Sequence, residues 1–185
     1  MDATLFFYLY NFGQSYSAIQ GLVVAVAEYL PYLVSIIFLA KVFYFYKPIN
    51  HRIQAIGFTL AALAVSSGLV QSLLHILIDK NRPFVEFGLQ PLFQVDRVSH
   101  TFPSGHAIFF FTLATIAWLI FSKRWGIFHF TLAFLIGLAR VVSGVHYPSD
   151  ILASALIGMI CVIGLKYALY RHLEFRPQRK KWIFF

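Results

Sequence analysis

Cysteine is almost absent. Cys161 stands alone among 185 residues, which excludes an internal disulfide and a Cys-based zinc cluster. Charge is scarce as well. Charged residues make up 12% of the chain, against about 25% in an ordinary soluble domain, so a water-soluble globular fold is disfavoured. Acids are the rarer sign, seven against fifteen Lys and Arg, for a net charge of +8. No internal repeat and no low-complexity linker divides the chain. Met1 to Phe12 lacks the basic n-region and small-residue cleavage site of a cleaved signal peptide.

What is present is apolar. Hydrophobic residues reach 59%, with 21 Phe and 10 Tyr, and the mean hydropathy is +0.74. Apolar stretches run over 18–46, 53–78, 105–122, 125–143 and 151–170. A helix needs about 20 mostly apolar residues to cross a bilayer. Backbone in lipid must satisfy its own hydrogen bonds, so each stretch is expected to be a helix. The fold class expected is an all-α polytopic membrane helix bundle of five spans. Leu5 to Phe12 adds an N-terminal interfacial helix or a partial sixth membrane element. The stretches lie too close together for a separate soluble domain, so residues 1–185 read as one integral-membrane domain with a basic tail over about 171–185.

The basic residues set the topology. Lys41, Lys47 and Arg52 flank the first loop, Lys123 and Arg124 fill the third, and Lys166, Arg171, Arg176, Arg179, Lys180 and Lys181 crowd the C-terminus. With five spans these regions share one side. Only Lys80, Arg82, Arg97 and Arg140 fall on the other, beside Asp79, Glu86, Asp96 and Asp150. The positive-inside rule then puts the C-terminus in the cytoplasm and loops 79–104 and 144–150 outside. The charge of +8 is mostly a topology signal, with little support for nucleic acid as a partner. The tail can also touch anionic headgroups.

Three segments meet on the outer face: Lys80-Asn81-Arg82-Pro83, Phe102-Pro103-Ser104-Gly105-His106, and Arg140 to Asp150. Each suits an anion. Ser104 and Gly105 open a helix, where free N–H groups and the helix dipole favour phosphate. Arg82 and Arg140 offer planar forks to phosphate oxygens. His146 and His106 have the chemistry of a nucleophile and a general acid. Asp150, four residues after His146, is placed to orient its imidazole. Taken singly, each has a plainer role: an N-cap for Ser104, a snorkelling side chain for Arg140, helix-dipole compensation for Asp150. Jointly these roles explain little, because ionisable groups at membrane depth are functional candidates.

The three segments resemble the signature of the phosphatidic acid phosphatase type 2 superfamily. That signature is Lys, six residues, Arg-Pro; then Pro-Ser-Gly-His; then Ser-Arg, three residues, Gly, one residue, His, three residues, Asp. Arg82-Pro83, Pro103-Ser104-Gly105-His106, and Arg140, Gly144, His146 and Asp150 match at the right spacing. His75 stands at the family Lys position and Ala139 at the family Ser position, while Lys80 lies two residues before Arg82. The resemblance implies a metal-free mechanism with no cofactor. His146 attacks phosphorus to form a phosphohistidine, Asp150 orients it, and His106 protonates the leaving oxygen. Arg82, Arg140, Ser104 and the Gly105 amide hold the phosphate, with Lys80 or His75 as a further ligand.

Arg82-Pro83-Phe84-Val85-Glu86, Pro91-Leu92 and Glu28-Tyr29 are similar to the small bacterial undecaprenyl-diphosphate phosphatases. This implies a multi-pass protein of the bacterial inner membrane, with its site facing the periplasm or outside and a lipid diphosphate as substrate. Phosphatidylglycerophosphate or phosphatidate hydrolysis stays open, as do phosphoryl transfer to another lipid and lipid binding or transport without turnover. Glu28 reads as a brace inside the first span, and Pro31 as the source of a kink there. Trp118, Trp125 and Trp182 read as interface anchors. Phe109, Phe110 and Phe111 read as lipid-facing or core residues, with an acyl groove as a further use.

Overall fold

The computed structural model describes residues 2–95 and 100–169. Among these, every regular element is a helix. Asp2–Gln14 forms α1. Ser17–Phe45 forms α2 and Ile49–Leu77 forms α3, each 29 residues long. The single turn Pro83–Glu86 is α4. Gly105–Ile120 is α5, Lys123–Val142 is α6 and Pro148–Ala168 is α7. The basic tail, Trp182, Asp96 and Arg97 lie outside the described residues.

The helix boundaries follow from local chemistry. Pro48 lacks an N–H and disfavours helix in the residue before it, which separates α2 from α3. Ser122 caps α6 by accepting from the Trp125 amide at 3.4 Å. That helix ends at Gly144, whose φ of +88° suits only a residue without a Cβ. Pro148 then opens α7, where its fixed φ is already helical and its missing donor costs nothing.

Four helices are long and apolar enough to cross a membrane: α2, α3, α6 and α7. The fifth expected span is α5, with 16 residues, about 24 Å at 1.5 Å per residue. That is short of the roughly 30 Å hydrocarbon core. The protein is therefore a multi-pass bundle of four membrane-length helices plus a shorter apolar one, and the fifth full-length span is not established. Ile108, Ala114, Ile116, Ala117 and Ile120 are fully buried, while Trp118 is 39% exposed, so most side chains of α5 meet protein. It packs against α6 and α7, with further contacts to α3. Close approach is secured at Gly158 of α7, where a Cβ would lie 3.0 Å from the Ile108 carbonyl, a small-residue contact of the kind that lets membrane helices pack closely.

Both long N-terminal helices contain a π-helical segment, Ala25–Tyr29 in α2 and Ala64–Val70 in α3. The first carries Glu28 and ends two residues before Pro31. The second carries Ser66, a fully buried residue whose Oγ accepts from Thr112 Oγ1 of α5 at 3.0 Å. The residues read as interfacial or partial, Leu5 to Phe12, fall inside α1. That helix packs on α6 and α7 and seats the fully buried Phe6 among Tyr10, Phe87 and Tyr147.

Candidate active site

The loops after α3, before α5 and between α6 and α7 converge at one end of the bundle. Backbone bonds lock them together: Thr101 N–H donates to the Lys80 carbonyl at 3.0 Å, Phe84 N–H to Gly144 at 3.1 Å, and Leu92 N–H to Ser143 at 3.2 Å. Tyr10 of α1 adds its hydroxyl to the Gln90 carbonyl at 2.9 Å. Four separate stretches of sequence thus hold one small volume.

His146 lies at its centre, 3% exposed. Arg82 Nη1 stands 3.4 Å from His146 Nε2 and donates to the Val145 carbonyl at 3.1 Å. Burial, reinforced by the charges of Arg82 and Arg140, holds the His146 imidazole well below its ordinary pKa of 6.5. The ring is therefore neutral at neutral pH, and a neutral imidazole nitrogen is nucleophilic.

Asp150 is completely buried, and three donors satisfy it. Lys80 Nζ reaches Oδ1 at 2.8 Å, while the Tyr147 N–H and Thr101 Oγ1 reach Oδ2 at 2.9 and 2.7 Å. His146 Nδ1 is 3.9 Å from Oδ2, too long for a hydrogen bond. Thr101 Oγ1 bridges this gap, 3.2 Å from Nδ1. Lys80 also lies over the Tyr147 ring at 4.2 Å, and Tyr147 donates to Glu86 Oε2 at 2.7 Å.

The phosphate-binding candidates divide into two groups. Arg140 and Gly105 line a cavity of about 520 Å³ together with His106, the expected general acid. Arg140 Nη1 pairs with Glu28 Oε1 at 3.1 Å, and its guanidinium covers the Phe93 ring at 4.8 Å. Ser104 is fully buried and its amide donates to Ser154 Oγ at 2.8 Å. Two buried polar atoms here have no hydrogen-bond partner, Ser104 Oγ and Arg140 Nε. Lys80 and His75 are placed elsewhere. Lys80 is on Asp150, and His75 Nε2 lies 3.1 Å from the Pro103 carbonyl. Asp79, four residues after His75, pairs with His100 at 3.2 Å.

The same cavity continues past apolar side chains. Phe109 and Phe110 form one wall and Pro31 and Tyr32 of α2 another. Phe111 instead packs inside the bundle, 8% exposed. Thr101, Ser154 and the Tyr147–Glu86 pair carried no signal in the sequence. A lone Thr or Ser beside a motif looks like any loop residue until the fold supplies its partner.

Membrane-length helices that gather two arginines and two histidines at one end have an arrangement suited to an integral-membrane phosphatase. Comparison with known proteins specifies which kind. The family model of the PAP2 superfamily matches residues 55–174, and the chain belongs to that family. It is 29% identical over 164 residues to the bacitracin transport permease protein BcrC of Bacillus licheniformis, covering 88% of this chain and 78% of that one. It is 31% identical over 108 residues to an undecaprenyl-diphosphatase of Sulfolobus acidocaldarius, covering 58% of this chain and 52% of the relative. The crystal structure of Aquifex aeolicus LpxE superposes with a TM-score of 0.71 at 25% identity, over 90% of this chain and 94% of that structure. The protein is a hydrolase of the PAP2 phosphatase type.

Proposed function

We propose that the protein removes a phosphate from a lipid diphosphate, undecaprenyl diphosphate foremost, through a phosphohistidine on His146. The observation that carries this reading is the buried His146 imidazole with its Nε2 facing the Arg82 guanidinium. A neutral ring nitrogen beside a fixed cation is arranged to attack an anionic phosphorus centre that the cation has drawn in. Ser104 Oγ and Arg140 Nε, buried without partners, are donors that a phosphate would satisfy. Burying such groups unpaired is costly, so their presence supports a ligand there.

In this scheme the Nε2 lone pair of His146 forms a bond to phosphorus while the bond to the leaving oxygen breaks. His106 gives that oxygen a proton, then takes one from the water that cleaves the phosphohistidine. Arg82, Arg140, Ser104 and the Gly105 amide hold the non-bridging oxygens. Lys80 is assigned to the carboxylate of Asp150 and not to the phosphate. The charge that develops is met by guanidinium and hydroxyl donors, so turnover is expected to survive EDTA. The apolar continuation of the cavity along Phe109, Phe110 and Tyr32 suits a lipid tail. The basic residues at the opposite end, Lys41, Lys47 and Lys123, favour a site on the outer face by the positive-inside rule. A carrier lipid of cell-wall synthesis presents its diphosphate on that face.

The test is phosphate release by detergent-purified protein in EDTA, with undecaprenyl diphosphate, phosphatidylglycerophosphate and phosphatidate offered in parallel. Release from undecaprenyl diphosphate that vanishes in His146→Ala supports the proposal. Preferential release from a glycerophospholipid would replace the substrate and keep the mechanism. Turnover by His146→Ala would overturn the nucleophile.

A further inference from the structure

We infer that Thr101 is a positioning residue for His146, carrying the influence of Asp150 to an imidazole that the carboxylate does not itself hydrogen-bond. The inference rests on His146 being the attacking group. Its argument is one of donors and acceptors. A threonine hydroxyl has one proton to give and two lone pairs. Thr101 Oγ1 has three polar neighbours: Asp150 Oδ2 at 2.7 Å, His146 Nδ1 at 3.2 Å and the Val145 carbonyl at 3.5 Å. The proton goes to the carboxylate, which is nearest and charged. A lone pair then faces Nδ1, so Nδ1 must be the ring nitrogen that carries hydrogen.

An independent neighbour leads to the same tautomer. Arg82 Nη1, 3.4 Å from His146 Nε2, can only donate, so Nε2 is the unprotonated nitrogen. The two contacts agree that Nε2 is the nucleophilic atom and Nδ1–H is the anchored one. The chain of bonds is Nδ1–H to Thr101 Oγ1, then Oγ1–H to Asp150. No proton needs to leave Nδ1 when Nε2 bonds to phosphorus. The ring becomes cationic, and the oriented hydroxyl dipole with the carboxylate behind it stabilises that charge.

The burial supports this geometry. Thr101, His146 and Asp150 are 0%, 3% and 0% exposed, so water does not substitute for the hydroxyl. Asp150 is meanwhile held by Lys80 and the Tyr147 amide, so its position does not depend on His146. The loop is fixed by the Thr101 N–H bond to the Lys80 carbonyl. One short segment thereby sets both the hydroxyl and the cation that faces Asp150 from the other side.

The experiment compares Thr101→Val, which keeps the volume and loses the hydroxyl, with Thr101→Ser, which keeps the hydroxyl. Both are assayed for phosphate release and for acid-quenched phosphoenzyme, beside Asp150→Asn and the double variant Thr101→Val/Asp150→Asn. Thr101→Val is expected to lower kcat about a hundredfold with KM little changed, and Thr101→Ser to recover most of it. In the Asp150→Asn background, Thr101→Val should cost almost nothing more, because the two groups act as one unit. Equal loss in Val and Ser, full additivity with Asp150→Asn, or wild-type kcat in Thr101→Val would overturn the inference. Thr101→Ser keeps the test decisive if the Val protein does not fold. Turnover in a parallel His146→Ala control would instead sink the underlying mechanism, which separates the two failures.

Discussion

Among the described residues two histidines are buried, His129 within α6 and His146 in the loop that follows it, and they do opposite things. His129 is 1% exposed. Its Nδ1 bonds to the Trp125 carbonyl one turn earlier in its own helix, at 2.8 Å, and its Nε2 has no partner. Around it stand the rings of Phe38, Trp125 and Phe128. His146 is as deeply buried, but it sits in a loop among Thr101, Arg82 and Asp150. Burial alone therefore does not mark a site. What separates the two rings is company: His146 has a guanidinium ahead of one nitrogen and an anchored acceptor behind the other. His129 has an intrahelical bond and aromatic walls, and functions as packing.

The largest effect should come from testing that contrast directly. His146→Ala is expected to reduce phosphate release by at least about 10⁴-fold, the range seen when a nucleophile is deleted. His129→Phe should leave kcat within about threefold, because no reacting atom is near it. Detergent-phase phosphate release on both proteins checks this. A His129→Phe enzyme as dead as His146→Ala would dissolve the distinction.

The acid limb of the pH profile sharpens the comparison next. In the proposed mechanism the active form of His146 is the neutral one, and its pKa lies well below 6.5 because burial and the Arg82 and Arg140 charges disfavour the proton. A lowered pKa means the neutral fraction stays near one as pH falls through 6.5, and drops only below the shifted value. The His146 limb of kcat/KM, which reports the free enzyme, should therefore fall under pH 6.5. Using a substrate whose own phosphate titrates outside this window isolates it. Arg82→Gln removes one charge that depresses the pKa, so its limb should move up in pH. A limb at or above 6.5 in the unmodified protein would show that the ring is not held neutral.

Much of this was legible in the chain, and the reason is local. Arg82, His106, Arg140, His146 and Asp150 stand out because charged residues are rare and apolar runs frame them. Pro48, Pro148 and Gly144 announce their turns because their backbones permit little else. The rest depended on contacts that no local pattern encodes. Thr101 becomes notable only when Asp150, 49 residues away, closes on it. The pairing of Glu28 with Arg140 spans 112 residues. Hydropathy does not separate a helix packed mostly among other helices, as α5 is, from one bathed in lipid, because the two have the same composition. Lys80 looked like a phosphate ligand by its neighbours in sequence, whereas its ammonium is on Asp150. The two π-helical segments left no mark at all, since the extra residue per turn is absorbed by backbone bonds.

Glu28 offers a smaller effect, and one that separates binding from chemistry. Its carboxylate lies on Arg140 Nη1 at 3.1 Å, with side chains 43% and 7% exposed respectively. The π-helical turn at Ala25–Tyr29 carries it on the cavity wall. Glu28→Gln keeps the shape and an acceptor for Arg140 but removes the charge. The guanidinium then faces the cavity less constrained and less neutralised. Since Glu28 touches no reacting atom, the expected change is about threefold to tenfold in KM with kcat nearly unchanged. Measuring the two constants separately decides the matter. A kcat loss as large as that of Asp150→Asn would move Glu28 from the wall of the site into its chemistry.

The smallest effect lies at the Tyr147–Glu86 bond. Tyr147 is 4% exposed. Burial, with Glu86 Oε2 accepting its hydroxyl at 2.7 Å, pushes its phenol above the ordinary value of 10.0. The hydroxyl therefore stays protonated throughout the working range and serves as a fixed donor. Tyr147→Phe keeps the ring beneath Lys80 and beside Phe6 and Phe87 and deletes only the bond. The loss should be about 1–2 kcal/mol of stability, or roughly 2–8 °C in Tm, read by thermal unfolding in detergent. Activity below the transition should stay within about twofold, since the amide of residue 147, and not its side chain, is what bonds Asp150. If activity fell while Tm held, the phenol would belong with His146 among the groups that act on substrate, and the line between the site and its scaffold would have to be redrawn through α4.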